Sequence, residues 1–96
     1  MTLAGFRHKG LKLLYSGATP RGVPPEFVDR LRKLLFAMET ASGLDDLKRF
    51  PGWRLHSLKG DLAGYWSLSV SGNWRLTFRY SGSDNEATDI DLIDYH

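Results

Sequence analysis

The sequence predicts an α+β fold, with N-terminal helices packed on one face of a twisted antiparallel β-sheet. Three observations carry this expectation. A 3.6-residue apolar period runs through residues 24–38. Polar–apolar alternation runs through residues 65–70 and 74–80. The helical signals precede the main strand signals. At 96 residues the chain has room for one core, so residues 1–96 are expected to form a single domain.

The elements follow in order. Residues 2–7 suit a short first strand. In residues 8–15, Leu11, Leu14 and Tyr15 fall at helical spacing with Lys9 and Lys12 outside, and Ser16-Gly17 ends the run. Residues 18–23 read as a loop. Pro24-Pro25 opens the long helix, because proline fits a first turn. Phe27, Val28, Leu31, Leu34, Leu35 and Met38 form its apolar stripe, and Arg30, Arg32 and Lys33 lie off it. The helix stops before Ser42-Gly43, residues 44–48 add one turn, and Pro51-Gly52 breaks the chain again.

Strands are expected over residues 53–58, 65–70, 74–80 and 87–93. Turns fall at Ser71-Gly72 and residues 81–84, and a bulge is expected at Leu92-Ile93, where the alternation slips. Trp66, Leu68, Val70, Leu76 and Phe78 make the face that the long helix covers. The opposite face carries Arg75 and Arg79, joined by Arg54 and His56 through strand parity. An open face with positive charge and an imidazole suits RNA.

Composition narrows the class. Hydrophobic residues at 42% and charged residues at 25% describe a folded globular chain and exclude a disordered one. The absence of cysteine excludes disulfides and thiolate metal sites and fits a reducing cytosol, so the expected location is cytoplasmic. Apolar runs are too short to span a membrane, and residues 1–9 lack the pattern of a signal peptide. Net charge is +2, but it is unevenly spread. Residues 1–80 hold all 13 Lys and Arg against six acids, a balance of +7. Residues 81–96 hold five acids and no base. A basic body attracts polyanions.

The three histidines fit no zinc spacing, and no metal or cofactor is expected. Glycine-rich phosphate loops, Gly-x-Ser-x-Gly and a cysteine nucleophile are all missing. RNA can nevertheless be cut without metal. The 2′-hydroxyl attacks its own phosphate, a base takes the hydroxyl proton, an acid protonates the leaving 5′-oxygen, and cations meet the phosphorane. Imidazole suits both proton transfers, and Arg and Lys suit the charge. His56, His96, Lys59, Arg75 and Asp94 supply these types. Which of His56, Asp94 and His96 is base and which acid stays open. Tyr65 is the candidate base contact, Trp66 is assigned to packing, and His8 to a surface or packing role.

Five stretches resemble one family in order and spacing across essentially the whole chain. They are residues 6–12 (FRHKGLK), 54–61 (RLHSLKGD), 64–67 (GYWS), 73–78 (NWRLTF) and the terminal Asp94-Tyr95-His96. The chain resembles HigB toxins of the RelE/ParE superfamily. The resemblance implies a RelE-like fold and a toxin that enters the ribosomal A site and cleaves messenger RNA there. It implies a HigA-like helix-turn-helix antitoxin as partner. By position it assigns His56, Lys59, Arg75, Asp94, Tyr95 and His96 to the active site; Arg54, Tyr65 and Arg79, read from strand parity as lying on the open face, are the expected RNA contacts. Ser57 departs from the proline common in relatives, and Ser71-Gly72 forms the turn before Asn73. The alternatives are a ParE-like gyrase inhibitor and a non-catalytic RNA-binding module. A gyrase inhibitor has no need for His56, Lys59 and a terminal Tyr95-His96 together, and a pure binding module should offer no point mutant that stays folded and binds antitoxin but loses toxicity.

Overall fold

The apolar stripe of the long helix meets the sheet as expected. The computed structural model describes residues 1–95. A 3-10 turn at Pro25–Phe27 leads directly into α2, Val28–Thr40, which follows the shorter helix α1, Lys9–Ser16. Leu31, Leu34, Leu35 and Met38 of α2 are buried, as are Leu11 and Leu14 of α1. Burying each such side chain contributes about 1.5–3 kcal/mol. A single helical turn, α3, Leu44–Leu47, adds Leu47 to the core.

Local chemistry sets the helix ends. The His8 side chain caps α1, its Nδ1 accepting from the Leu11 amide at 3.2 Å. Gly17, at φ 87°, closes the other end, where the amides of Gly17 and Ala18 reach the carbonyls of Leu14 and Leu13. At the end of α2 the Met1 ammonium donates to the carbonyls of Met38, Glu39 and Ala41. A cation there also complements the helix dipole.

The strands are β1 (Thr2–Leu3), β2 (His56–Ser57), β3 (Tyr65–Ser71), β4 (Trp74–Ser81) and β5 (Glu86–Asp94). They form one sheet in the order β1-β5-β4-β3-β2. The core face carries Leu68, Val70, Leu76, Phe78, Ala87, Ile90 and Leu92, with Trp66 and Trp74 at its margin.

Four expectations need correction. The sheet is mixed rather than purely antiparallel. β1 runs parallel to β5, pairing Thr2 with Glu86 and Leu3 with Ala87, with a further bridge from Phe6 to Ile90. Local alternation carries no information on which distant strand a terminal segment meets. The first strand also stops at Leu3, not at Arg7.

The strand expected over residues 53–58 shrinks to two residues. Pro51–Trp53 is a 3-10 turn, and Arg54 sits in the left-handed region at φ 50°. Trp53 and Leu55 pack against the core instead.

The bulge in β5 lies earlier than Leu92-Ile93. Arg79 pairs with Thr88 and Thr77 with Asp91, so Asp89 and Ile90 together oppose Phe78. Asp89 takes φ 51° to absorb the extra residue. This shift lets both Ala87 and Ile90 reach the core. A second irregularity lies at Val70, between the pairs Ser69–Arg75 and Ser71–Trp74.

Candidate active site

The face of the sheet away from the helices carries several of the candidate residues, and β2 is its outer edge. His56 pairs with Ser67, Ser67 with Thr77, and Thr77 with Asp91, which makes one cross-strand row. The neighbouring row is Ser69, Arg75 and Ile93. Strands are spaced about 4.8 Å apart and residues about 3.4 Å along them, so the His56 and Arg75 backbones lie about 12 Å apart diagonally.

His56 is exposed, and its Nδ1 lies 2.9 Å from the Arg54 carbonyl oxygen. Arg54 itself is exposed, and its left-handed backbone brings its carbonyl back toward the residue two places on. Lys59 is exposed at the start of the 3-10 turn Gly60–Leu62. The preceding Leu58 amide bonds the Tyr65 carbonyl at 2.9 Å, so Lys59 stands near the Tyr65 end of the sheet.

Arg75 is half-buried and curls onto the β3–β4 hairpin, donating to the Gly72 carbonyl at 2.6 Å and its neighbour Trp74 at 3.0 Å. The same hairpin anchors the chain end. The Tyr95 amide donates to the Asn73 carbonyl at 2.8 Å, and the Tyr95 ring is 41% exposed. Arg75 and Tyr95 thus belong to one end of the sheet. Asp94 is exposed and in register with Trp74, which by strand parity puts it on the opposite face from Arg75. His96 lies outside the described residues.

Two of the expected RNA contacts are already engaged. The Arg79 guanidinium lies 4.6 Å from the Tyr65 ring centroid and 3.5 Å from the Asp89 carboxylate. Tyr65 is only 8% exposed. Strand parity does put it on the open face, but Arg79 occupies the ring face a base would use. Tyr65 and Leu58 are buried there outside the main core. Tyr65 thus packs beneath Arg79 in this structure, and a base would stack on it only by displacing that guanidinium.

The open face is also less uniformly basic than its sequence suggests. Asp89 and Asp91 of β5 border it by register, and a polyanion would favour the β2 side and the hairpin end. Those acids were visible in the sequence, but their placement depends on the bulge. Ser67 and Thr77 are the other unexpected feature. Both are buried, and the Ser67 hydroxyl finds no hydrogen-bond partner among the described residues.

Comparison with known proteins agrees with this architecture. The chain is 44% identical over 94 residues to the endoribonuclease HigB of Proteus vulgaris, covering 98% of this chain and 99% of that one. Among solved structures, it resembles the RelBE2 toxin–antitoxin complex of Mycobacterium tuberculosis, with a TM-score of 0.55, 21% identity and coverage of 99% and 96% of the two chains. It also resembles a YoeB/ParE toxin from Agrobacterium tumefaciens, with a TM-score of 0.53, 22% identity and coverage of 100% and 99%. At those identities the structural likeness speaks for the fold. The family profile described as the RelE-like toxin HigB of type II toxin–antitoxin systems matches residues 4–96. The chain therefore belongs to the HigB-like family of RelE-like toxins of type II toxin–antitoxin systems.

Proposed function

We propose that this toxin is a metal-independent endoribonuclease that stops translation by cutting messenger RNA in the ribosomal A site. The observation that carries the reading is 44% identity to an endoribonuclease over nearly the full length of both chains. The open face is compatible with it: His56 is exposed on the edge strand β2, Lys59 is exposed just after that strand, and Arg75 is half-buried two strands inward on β4.

In this reading the 2′-hydroxyl attacks the adjacent phosphate. The P–O5′ bond breaks, leaving a 2′,3′-cyclic phosphate and a free 5′-hydroxyl. Lys59 and Arg75 stabilise the phosphorane. His56 and the C-terminal Tyr95 and His96 carry the proton transfers, and Asp94 orients the chain end. Arg54 and Arg79 contribute to RNA binding. The toxin acts in the cytoplasm and is held in check by an antitoxin of the HigA-like helix-turn-helix kind. The gyrase-inhibitor alternative rests on a shared fold alone.

The ribosome supplies substrate positioning, which can lower a barrier by about 7–11 kcal/mol. Purified messenger incubated with the toxin should be cleaved with programmed ribosomes and left intact without them. Equal rates in both would refute ribosome dependence.

A further inference from the structure

Two histidines of this chain meet opposite kinds of backbone group. The His8 Nδ1 faces an amide N–H, that of Leu11, at 3.2 Å. The His56 Nδ1 faces a carbonyl oxygen, that of Arg54, at 2.9 Å. An amide can only donate and a carbonyl can only accept. The neutral His8 ring must therefore keep its lone pair on Nδ1 and its proton on Nε2. The neutral His56 ring must carry its proton on Nδ1 and its lone pair on Nε2.

The carbonyl that imposes this on His56 belongs to a residue in an unusual conformation. Arg54 has φ 50° and ψ 52°, which is strained for a non-glycine residue. The surrounding packing has to hold it there. Arg30 of α2 braces the turn just before it from the helical layer. Its guanidinium donates to the Gly52 carbonyl at 3.3 Å and the Ser69 carbonyl at 3.1 Å, and lies 5.9 Å from the Trp53 ring centroid. Trp53 stacks on Phe50 at 3.9 Å. One arginine thus ties the Pro51–Trp53 turn to both α2 and β3.

We propose that the turn ending at Arg54, fastened by Arg30, is a positioning device that locks His56 in the Nδ1–H form and so makes Nε2 of His56 the proton acceptor of the reaction. This rests on the reading of His56 as an acid–base group and deepens it. As O2′ bonds to phosphorus, its proton passes to Nε2. The electron pair of the breaking P–O5′ bond stays on O5′, and the proton it needs comes from the C-terminal residues 95–96. Arg30 acts only through the turn and is a positioning residue.

The test uses the full chain with 15N-labelled histidine. Long-range 1H–15N correlation spectra are recorded where the imidazoles are neutral, and signals are assigned with the His8→Gln and His56→Gln variants. His8 should show its proton on Nε2 and His56 on Nδ1, each the internal control of the other. A His56 protonated on Nε2, or in the mixed state of an unrestrained imidazole, overturns the proposal without any variant having to fold.

Arg30→Lys keeps a cation on α2 but loses the planar fork. It should move His56 toward the mixed tautomeric state and lower kcat of ribosome-dependent cleavage by up to about 10²-fold, the scale of an ångström's misplacement, with KM unchanged. Wild-type tautomer and kcat in Arg30→Lys would overturn the role given to Arg30. The underlying reading fails separately. If His56→Ala cleaves messenger at the wild-type rate, His56 is no acid–base group, whatever its tautomer.

Discussion

Arg75, a proposed phosphorane contact, is anchored to its own hairpin. Its guanidinium already bonds the Gly72 and Trp74 carbonyls, which aims the remaining donors from a rigid hairpin. A lysine offers one point charge and cannot hold the turn and a phosphorane together. Arg75→Lys should therefore lose cleavage by a factor on the order of 10²–10³, the scale of losing an electrostatic donor. Its melting temperature should stay close to wild type. Cleavage at the wild-type rate would remove Arg75 from the mechanism. Gly10 makes a different kind of residue-scale point. A Cβ there would lie 2.0 Å from the Arg21 carbonyl oxygen, 2.8 Å from the His8 ring and 2.9 Å from Val23. Alanine gains about 1 kcal/mol of helix propensity, but overpacking against backbone costs about 1–3 kcal/mol. Gly10→Ala should lower the melting temperature, and a thermal scan that shows it raised would mean the 18–23 loop yields freely.

Among the elements, β5 decides most about the site. β1 pairs with its first residues, and β4 pairs with it out to Asp94, so the far end of the strand is held by β4 where most chain ends fray. The bond from the Tyr95 amide to Asn73 extends that hold by one residue. Among the described residues, deleting the last two positions removes the Tyr95–Asn73 hydrogen bond, worth about 0.5–1.5 kcal/mol, and no buried core side chain. The truncated chain should melt close to wild type and bind its antitoxin. Its cleavage should fall by a factor on the order of 10²–10⁴, as for loss of a general acid. Full activity in a folded truncation would leave the chain end without a catalytic part. The short strand β2 is the other informative element. Its alternation is clean in the sequence, yet the 3-10 turn and Arg54 before it remove the first half of the expected strand. That turn needs Arg30 from a helix more than twenty residues earlier, a contact that local periodicity does not encode.

At the scale of the molecule, core and site separate onto opposite faces of one sheet. Phe78 is fully buried on the helix side, whereas His56 stands exposed at the edge. Phe78→Ala should cost about 3–5 kcal/mol, a large share of the roughly 5–15 kcal/mol that holds a domain together. Chemical denaturation should show that loss, and antitoxin binding and cleavage should fall together. His56→Ala should keep the denaturation midpoint and antitoxin binding and lose cleavage alone. A His56→Ala chain that loses all three would show that the edge strand, not the imidazole, is what matters. The charge layout belongs to this scale too. The acidic C-terminal stretch becomes β5 beside basic β4, and the Arg79–Asp89 pair neutralises part of the face that the residue counts describe as basic.

The helix stripe, the β3–β4 hairpin, the covered and open faces and the family were all legible in the residue order. Each of these depends on neighbours within a few residues or on the order of motifs along the chain. Its period in residues 27–38 names the side chains that α2 buries, and alternation in β3 and β4 names the core face. Only the tertiary structure decided the parallel docking of β1 on β5, the position of the bulge, the covering of Tyr65 by Arg79 and the backbone partner of His56. The first three arise between segments distant in sequence. The bulge lets Ala87 and Ile90 both reach the core, and the cation finds a ring across the strand. The carbonyl reaches its imidazole because a remote arginine holds the turn, and the alternation of polar and apolar residues is blind to such contacts.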